Sequence, residues 1–426
     1  MQNLLIFLII LLVLLAIRVP IYMALVVAGA ALSLIVTGNV GQVYVAQKMY
    51  SGVDSFALLA LPLFMLTGEL MNIGGLSNRL IDFANCCVGW IRGGLGFVVI
   101  LVCMFLAAIL GSSSACSAMV GAILIPAMAE RGYDKDFSAA VVAASGGIGP
   151  VIPPSTLAIL YACAANVSIN SMFYGGYGPG ILMVVLFMVY SYYMARKHNF
   201  PAEPKPTVKK FFSSLKSAAL PLLLPIIIMG SIMTGICTAT ESAVIAVIYC
   251  IIISCFVYRS IKVTDLPKML IKGAKSGCMV LAVVAAASYL AYVMTVSQIP
   301  QSFTASMVAL TDNKYVFLLL VEVVLLVSGM FLDASCAILI LTPIMLPAAT
   351  AMGVNPVFFG ILMIVNLQIG ILTPPVGLNL YVTASVAHMD ILRVAKACIP
   401  FMAILFALTI LMIFCPAIVT FIPSIL

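Results

Sequence analysis

A duplicated stretch decides the fold: SSSACSAMVGAILIPAMAERGYDKDFSAAVVAASGGIGPVIPP at residues 112–154, and DASCAILILTPIMLPAATAMGVNPVFFGILMIVNLQIGILTPP at residues 333–375. The two copies align without a gap, so that Pro154 matches Pro375, 221 residues later. Each copy is apolar and is interrupted by glycines and a Pro-Pro pair. In a membrane chain, such interrupted segments at corresponding positions of two halves indicate the binding site of a secondary transporter.

The composition is that of a protein whose surface faces lipid. Of the 426 residues, 64% are hydrophobic and only 8% are charged, and the mean hydropathy is +1.26. A soluble domain carries roughly 25% charged residues. Many apolar runs approach or exceed the ~20 residues that cross a bilayer as a helix, and such long runs argue against a barrel. The sequence therefore predicts an all-α polytopic membrane protein.

The net charge and the cysteines exclude several other classes of protein. The net charge of +7 does not indicate nucleic-acid binding, because most of the excess Lys and Arg falls in loops between apolar runs, as the positive-inside rule requires. The 12 cysteines lie mostly inside apolar runs, without a CxxC pair or metal-ligand spacing. We expect them to behave as small hydrophobic residues, and we expect no cofactor.

The apolar runs divide the chain into two halves of equal plan. Repeat one covers residues 1–195 and repeat two covers residues 217–426, joined by a Pro-rich basic linker at 196–216. Each half is predicted to hold five crossings and one re-entrant hairpin, at about 95–130 and about 316–352. The predicted crossings are 3–17, 20–38, 55–73, 137–165 (interrupted) and 172–195, then 218–236, 240–257, 276–297, 358–386 (interrupted) and 398–420. Because five is odd, the second half enters the membrane from the opposite face, which predicts inverted repeats.

The distribution of basic residues sets the orientation. On this assignment, 18 of the 20 Lys and Arg residues fall on one face, and only Lys48 and Lys314 fall opposite. The basic face is assigned to the cytoplasm. This places the linker in the cytoplasm and both termini on the outer, periplasmic side.

The two hairpin tips carry polar residues at mid-membrane depth. The first reads GSSSACS at 111–117, and its serine hydroxyls and helix-end carbonyls are neutral oxygens that suit a monovalent cation. Packing of small residues between helices is an equal alternative. The second reads LDASC at 332–336, with Asp333 at the position of Ser112. A carboxylate in an apolar run costs ~2.5–3.5 kcal/mol on insertion scales, so Asp333 indicates an ion or substrate site, with a helix cap as the alternative.

Interrupted helices accompany the tips. They read SGGIGPVIPPST at 145–156 and NLQIGILTPPVGLN at 366–379. Proline has no amide hydrogen and clashes with the carbonyl four residues earlier. The Pro-Pro pairs are therefore predicted to free the carbonyls of Gly149, Pro150, Gly370 and Ile371. A simple kinked helix is the alternative in each case.

The motifs resemble a known family along essentially the whole chain. GSSSACSAMVGAILIPAM, SGGIGPVIPPS, GICTATESA, LDASCAILILTPIMLP and QIGILTPPVGLNLYV are similar to the large membrane subunit of tripartite ATP-independent periplasmic (TRAP) transporters. The resemblance implies sodium-driven uptake of an organic acid, of the C4-dicarboxylate or sialic acid class, across a bacterial inner membrane. It also implies elevator motion of a transport domain against a scaffold, a periplasmic substrate-binding protein, and a small membrane subunit, expected here as a separate chain.

The resemblance also places two sodium sites. The first falls on Ser112, Ser114, Gly146, Gly149 and Pro150. The second falls on Asp333, Ser335, Asn366, Gly370, Thr373 and Gly377. Polar residues near the tips are the candidates for substrate contact: Ser113, Thr156, Ser168 and Asp333.

Two other classes of function stay open from the residues alone. A passive channel would need a continuous polar pore, whereas the polar residues cluster at one depth. An intramembrane hydrolase would need a base near a serine of the first tip, and His388 is predicted at the cytoplasmic end of its crossing. Of the remaining acids, Glu69 and Glu241 are interpreted as structural rather than ion-binding, and Glu322 is left open.

Overall fold

The computed structural model describes residues 2–39 and 42–425. Met1 and Leu426, where the predicted repeats begin and end, lie outside the described residues, as do Val40 and Gly41. Within the described ranges the regular structure is helical, without a strand. Nine of the described helical segments are long and apolar enough to cross a membrane. Helices suit lipid because their backbone hydrogen bonds close within the segment.

The helices of the first half are α1 Gln2–Ala16, α2 Ile21–Thr37, α3 Gln42–Val53, α4 Ala60–Ile73, α5 Leu76–Val88, α6 Gly94–Leu110, α7 Ser113–Glu130, α8 Lys135–Gly146, α9 Thr156–Ala165 and α10 Ile169–Lys197. Those of the second half are α11 Val208–Met233, α12 Ala239–Ile252, α13 Leu266–Val296, α14 Ile299–Leu310, α15 Lys314–Phe331, α16 Ala334–Ala351, α17 Pro356–Gly370, α18 Leu378–Ala387, α19 Ile391–Phe414 and α20 Ala417–Ile425. A 3₁₀ turn at Phe56–Leu59 precedes α4, and a π turn at Ile253–Val257 extends α12.

Both predicted hairpins are present. The first is the pair α6–α7 and the second is the pair α15–α16, and in each only two residues separate the arms. The second arms, α7 and α16, are both 18 residues long, and they begin 221 residues apart. Both predicted discontinuous helices are present as well, as α8–α9 and α17–α18, each broken around a Pro-Pro pair with a cis peptide bond. The predicted fold class is therefore confirmed.

The duplication extends beyond the quoted stretch. Helices α5, α9 and α10 recur as α14, α18 and α19, each beginning within two residues of the 221-residue offset. The domain limits and the opposite orientation of the two repeats in the bilayer stay predictions.

The predicted crossings omit several short helices. Helices α3, α5, α14 and α20 were not expected, because their sequences mix polar and apolar residues or are too short to span a bilayer. The 196–216 linker is also shorter than its sequence suggests, since α10 runs to Lys197 and α11 begins at Val208. Three prolines at 201, 204 and 206 keep the intervening segment non-helical, because each lacks an amide hydrogen.

The helices form two packed groups. Helices α2, α3, α4 and α12 pack around the long helix α13 or its neighbours, while the hairpins pack against the broken helices. The packing of the hairpins is crossed between repeats: α7 contacts α18, and α16 contacts α9. The groups meet where α4 contacts α6 and where α13 contacts α16. The first group corresponds to a scaffold, and the second holds the hairpins.

Two acids in apolar sequence have structural roles. Glu69 on α4 forms an ion pair with Lys272 on α13, which joins the two scaffold helices at the interface between them. Glu241 completes a capping box at the start of α12, where its carboxylate accepts from the Thr238 amide at 2.8 Å. Both interpretations of these acids as structural therefore agree with the contacts.

Candidate functional site

The tip of the first hairpin is a capped helix start. Gly111 has a φ of +59°, a conformation that favours glycine, and it turns the chain between the arms. Ser112 then caps α7, with its Oγ accepting from the Ala115 amide at 3.4 Å. The hydroxyl oxygens of Ser112 and Ser114 lie 3.3 Å apart, so both can contact one small cation.

The tip of the second hairpin repeats this arrangement with a charge. Asp333 caps α16, and its Oδ2 accepts from the Ser335 amide at 3.0 Å. No basic side chain pairs with Asp333 in the described structure. Asp333 thus has the structural role of a helix cap and has no basic partner among the described residues.

The breaks in the two discontinuous helices differ from the prediction. The Pro150 carbonyl is not free, because the Ser155 hydroxyl donates to it. In the second repeat, Thr373 N donates to the Gly370 carbonyl at 2.9 Å, and Asn379 N donates to the Ile371 carbonyl at 3.2 Å. The prediction that these three carbonyls lack partners is wrong. The physical reason is that the backbone turns back on itself after each of the two breaks. Donors a few residues further along then replace the lost helical amides.

Hydrogen bonds join the first tip and α8 to the two discontinuous helices, and those of Asn379 also connect the two repeats. Asn379, in α18, donates from Nδ2 to the Ala143 carbonyl of α8 at 3.0 Å. Its Oδ1 accepts from Ser113 Oγ at 2.8 Å. Thr156 Oγ1 donates to the Gly111 carbonyl at 2.7 Å, which joins the first tip to α9. The first tip is therefore held by both broken helices.

Close backbone approaches fix the second tip. Gly329 on α15 and Gly370 on α17 are so close that a Cβ on Gly370 would lie 2.5 Å from Gly329 Cα. Val376 N donates to the Met330 carbonyl at 3.3 Å. Real Cβ atoms do not approach backbone this closely, so the crossing of α15 and α17 requires glycine at position 370.

One cavity of about 170 Å³ lies between the tips. Leu61 and Met65 of α4 and Val280 of α13 supply its scaffold side. Asp333 is the one charged residue among the described side chains that line it. Seven predicted site residues line it: Ser112, Ser113, Ser114, Pro150, Thr156, Asp333 and Ser335.

The other predicted site residues are not among those that line this cavity: Gly146, Gly149, Ser168, Asn366, Gly370, Thr373 and Gly377. Ser168 is exposed and caps α10 by accepting from the Ser171 amide at 3.3 Å. Gly146 packs against the first hairpin, where a Cβ would lie 2.0 Å from Ser117 Oγ. Thr373 Oγ1 donates to the Ile369 carbonyl at 2.7 Å.

Asn366 lies against a buried acid rather than at the cavity. Its Nδ2 donates to Glu322 Oε2 at 2.6 Å and to the Glu322 carbonyl at 3.2 Å. Glu322 is 2% exposed and Asn366 is 0% exposed. Glu322 lies nine residues before the end of α15, so the pair is about 13 Å of helix rise from the second tip. Glu322, which the sequence left open, therefore joins the first arm of the second hairpin to α17.

This pair allows a test of stability. We expect Glu322→Leu to lower the free energy of unfolding of the purified protein by about 1–3 kcal/mol, because the Asn366 amide loses the Glu322 carboxylate as its buried acceptor. Glu322→Gln keeps an acceptor oxygen and is expected to retain most of the stability. The two variants are heated in detergent, and the fraction that stays folded at each temperature is measured by size-exclusion chromatography. Equal stability of Leu and Gln variants would show that the hydrogen bond contributes nothing.

Two residues of the candidate site are not among those predicted from the sequence. Gln368 lines the cavity, and Asn379 bridges the repeats. Both lie within the 366–379 motif, and both are amides in an apolar run. A buried amide is costly unless it is hydrogen-bonded, and that cost was the signal that could have identified them.

The sequence is similar to that of known membrane transport proteins over most of its length. A family profile described as "Tripartite ATP-independent periplasmic transporter, DctM component" matches residues 8–418. The chain is 40% identical over 379 residues to the C4-dicarboxylate TRAP transporter large permease protein DctM of Pseudomonas aeruginosa, covering 89% of each. It is also 40% identical to the isethionate TRAP transporter permease protein DctMQ of Oleidesulfovibrio alaskensis, with 96% of this chain matching 64% of that protein.

A solved structure agrees in fold. The crystal structure of the Alcanivorax borkumensis YdaH transporter superposes with a TM-score of 0.62 at 16% sequence identity, covering 88% of each chain. At this identity the likeness concerns the fold alone. The profile match and the relatives are more specific, and they are transporter permeases rather than enzymes. The chain is a multi-pass membrane protein that belongs to the DctM component family of tripartite ATP-independent periplasmic transporters.

Proposed function

We propose that this chain imports an organic acid across the bacterial inner membrane by sodium-coupled secondary transport. The observation that carries the proposal is the shared cavity. Both hairpin tips line it, it holds hydroxyl oxygens and one carboxylate, and no Lys or Arg is among its described lining residues. An acid entering such a cavity needs positive charge, and bound cations supply it where the protein does not.

Sodium fits the oxygens around the tips. Ser112 Oγ and Ser114 Oγ lie 3.3 Å apart, and the Asp333 carboxylate has no basic partner among the described residues. Hard oxygen ligands of this kind suit alkali cations rather than soft metals. We place one sodium site at each tip, on Ser112 and Ser114 at the first and on Asp333 and Ser335 at the second, because these residues of the predicted sites line the cavity.

Coupling follows from a shared preference for one arrangement of the tips. Sodium bound at a tip neutralises or fixes the groups that face the cavity, which creates the place for the acid. Ligands that favour the same state raise each other's affinity, and the effect is reciprocal. Alternating access then comes from movement of the hairpin group against α4 and α13, as in an elevator.

Two partner proteins are part of the proposal. A periplasmic binding protein delivers the acid, and a small membrane subunit accompanies this chain. The family resemblance gives the small subunit as a separate polypeptide, and one relative carries the combined name DctMQ. The names of the relatives support C4-dicarboxylates or a small sulfonate as substrates, and the family resemblance adds sialic acid.

Both chain termini are proposed to be periplasmic.

Uptake into liposomes tests the coupling. We expect the permease, reconstituted with its small subunit and loaded binding protein, to accumulate acid only under an inward sodium gradient. The measurement is radiolabelled uptake with sodium outside, compared with potassium of equal concentration. Equal uptake under the potassium gradient contradicts sodium coupling, and flux without accumulation indicates a passive channel instead.

A further inference from the structure

Gln368 is a buried side chain with an unmet hydrogen-bonding requirement at the cavity. It lies on α17 two residues before the break, is 0% exposed and lines the space between the tips. Its Nε2 donates to the Ile364 carbonyl at 2.9 Å. Its Oε1 has no hydrogen-bond partner within the described part of the chain.

The orientation of this amide follows from its neighbour. A backbone carbonyl can only accept, so the atom that faces the Ile364 oxygen must be the amide nitrogen. The unsatisfied atom is therefore an acceptor, which is completed either by a hydrogen on oxygen or nitrogen or by a bound cation. The proposed sodium sites lie on other oxygens, at Ser112, Ser114, Asp333 and Ser335, so a hydrogen donor is the group that we infer here. Leaving a buried acceptor without a partner costs about 1–3 kcal/mol. A ligand that supplies the missing donor recovers that cost.

Two hydroxyl groups of the cavity already donate to other partners and not to Gln368. Ser113 donates to Asn379, and Thr156 donates to the Gly111 carbonyl. Asp333 accepts from an amide and is expected to face a cation. Gln368 is thus the lining side chain whose unmet requirement points to a neutral donor on the substrate.

We propose that Gln368 contacts the substrate and accepts a hydrogen bond from its hydroxyl group. This inference rests on the proposed function and specifies it: the imported acid is a hydroxylated acid rather than a plain dicarboxylate. A cavity of about 170 Å³ is smaller than the several hundred Å³ of typical ligand pockets, which favours a short carbon chain. The acidic group is balanced by bound sodium, and the hydroxyl is recognised by Gln368.

Matched pairs of acids that differ by one hydroxyl test this assignment. The pairs are malate with succinate and isethionate with ethanesulfonate, used with the permease and its small subunit. The first readout is sodium-dependent uptake with one and the same binding protein. The second is stabilisation of the purified membrane complex against heat by each acid, without the binding protein. For at least one pair, we expect a preference for the hydroxylated member of roughly tenfold.

Substitution of Gln368 identifies the residue responsible. Gln368→Met keeps the length of the side chain and removes the acceptor, so the preference is expected to fall to about twofold or less. Gln368→Glu keeps an acceptor oxygen but loses the donor to the Ile364 carbonyl, so uptake of both acids is expected to fall while their ratio is retained. That ratio decides the matter if the Met variant does not assemble. Gln301→Met, at an exposed position of α14, is the matched control and retains the full ratio.

The outcomes separate the two proposals. If the unaltered protein shows equal uptake of both members of every pair and is stabilised equally by them, the hydroxyl inference is overturned. Sodium-coupled uptake stays in place in that case. The same conclusion follows if Gln368→Met keeps the original ratio, or if an amino analogue such as aspartate is preferred to malate. Absence of sodium-dependent uptake for every acid overturns the proposed function, and the inference with it.

Discussion

Asp333→Asn is expected to reduce sodium-dependent uptake by about 10- to 100-fold at a fixed sodium concentration. A carboxylate and a cation about 4 Å apart attract each other by about 4 kcal/mol at an effective dielectric constant of 20, and partial exposure at the cavity reduces this value. Each 1.4 kcal/mol corresponds to a factor of ten in binding. The measurement is the initial rate of uptake as a function of external sodium.

The structure separates this effect from a loss of folding. Asp333 also caps α16 through the Ser335 amide, and asparagine caps helices about as well as aspartate. The Asn variant is therefore expected to express and to unfold at nearly the normal temperature. Asp312→Asn, in an exposed loop, is the matched control and keeps normal uptake. Normal sodium dependence in Asp333→Asn would leave the residue with the role of a cap alone.

Gly370→Ala is expected to have the largest effect on assembly. The added Cβ would lie 2.5 Å from Gly329 Cα and 2.6 Å from Gly329 C, and backbone atoms cannot move aside as a flexible side chain does. Overpacking of a core costs typically 1–3 kcal/mol, and this case belongs at the upper end because α15 and α17 must separate. We expect loss of most folded protein, measured as the monodisperse fraction after detergent extraction.

A second glycine provides the control for this prediction. A Cβ on Gly230, within α11, would meet no atom within 4 Å. Alanine is the better helix former by about 1 kcal/mol, so Gly230→Ala is expected to leave yield unchanged or to raise it slightly. If both alanine variants yield equal amounts of folded protein, the close contact of α15 and α17 has no energetic importance.

The sequence predicted the hairpins and breaks well because their signals are duplicated. A polar tip or a Pro-Pro pair is ambiguous alone, but Ser112 with Asp333, and Pro154 with Pro375, confirm each other at one offset. Helices α5 and α14 lack this advantage, because they flank the matched stretch and are too short or too polar to span a membrane. A membrane crossing is recognised in a sequence as an apolar run of about 20 residues, and neither helix contains such a run.

The sequence predicted which residues lie at the hairpin tips better than it predicted the hydrogen bonds of the broken helices. Ser112 and Asp333 do share a cavity, as two corresponding tips should. The carbonyl of Gly370, by contrast, accepts from Thr373 N, because a broken helix recovers hydrogen bonds by turning back. Asn366 lies against Glu322, although the motif grouped it with Asp333. Local sequence shows which backbone bonds a proline removes, but only the folded chain shows which donors replace them.

The crossed packing of the hairpins has a consequence for biosynthesis. Helix α7 contacts α18, and α16 contacts α9, so the earlier hairpin cannot reach its final surroundings until the late part of the chain has been translated. At about 5–20 residues per second, this leaves the nascent first hairpin without its contact to α18 for on the order of tens of seconds. During that interval the Ser113 hydroxyl in its serine-rich turn lacks the acceptor that Asn379 of α18 later supplies. A ribosome that stalls before the last third of the message therefore leaves an incomplete product for quality-control proteases to remove.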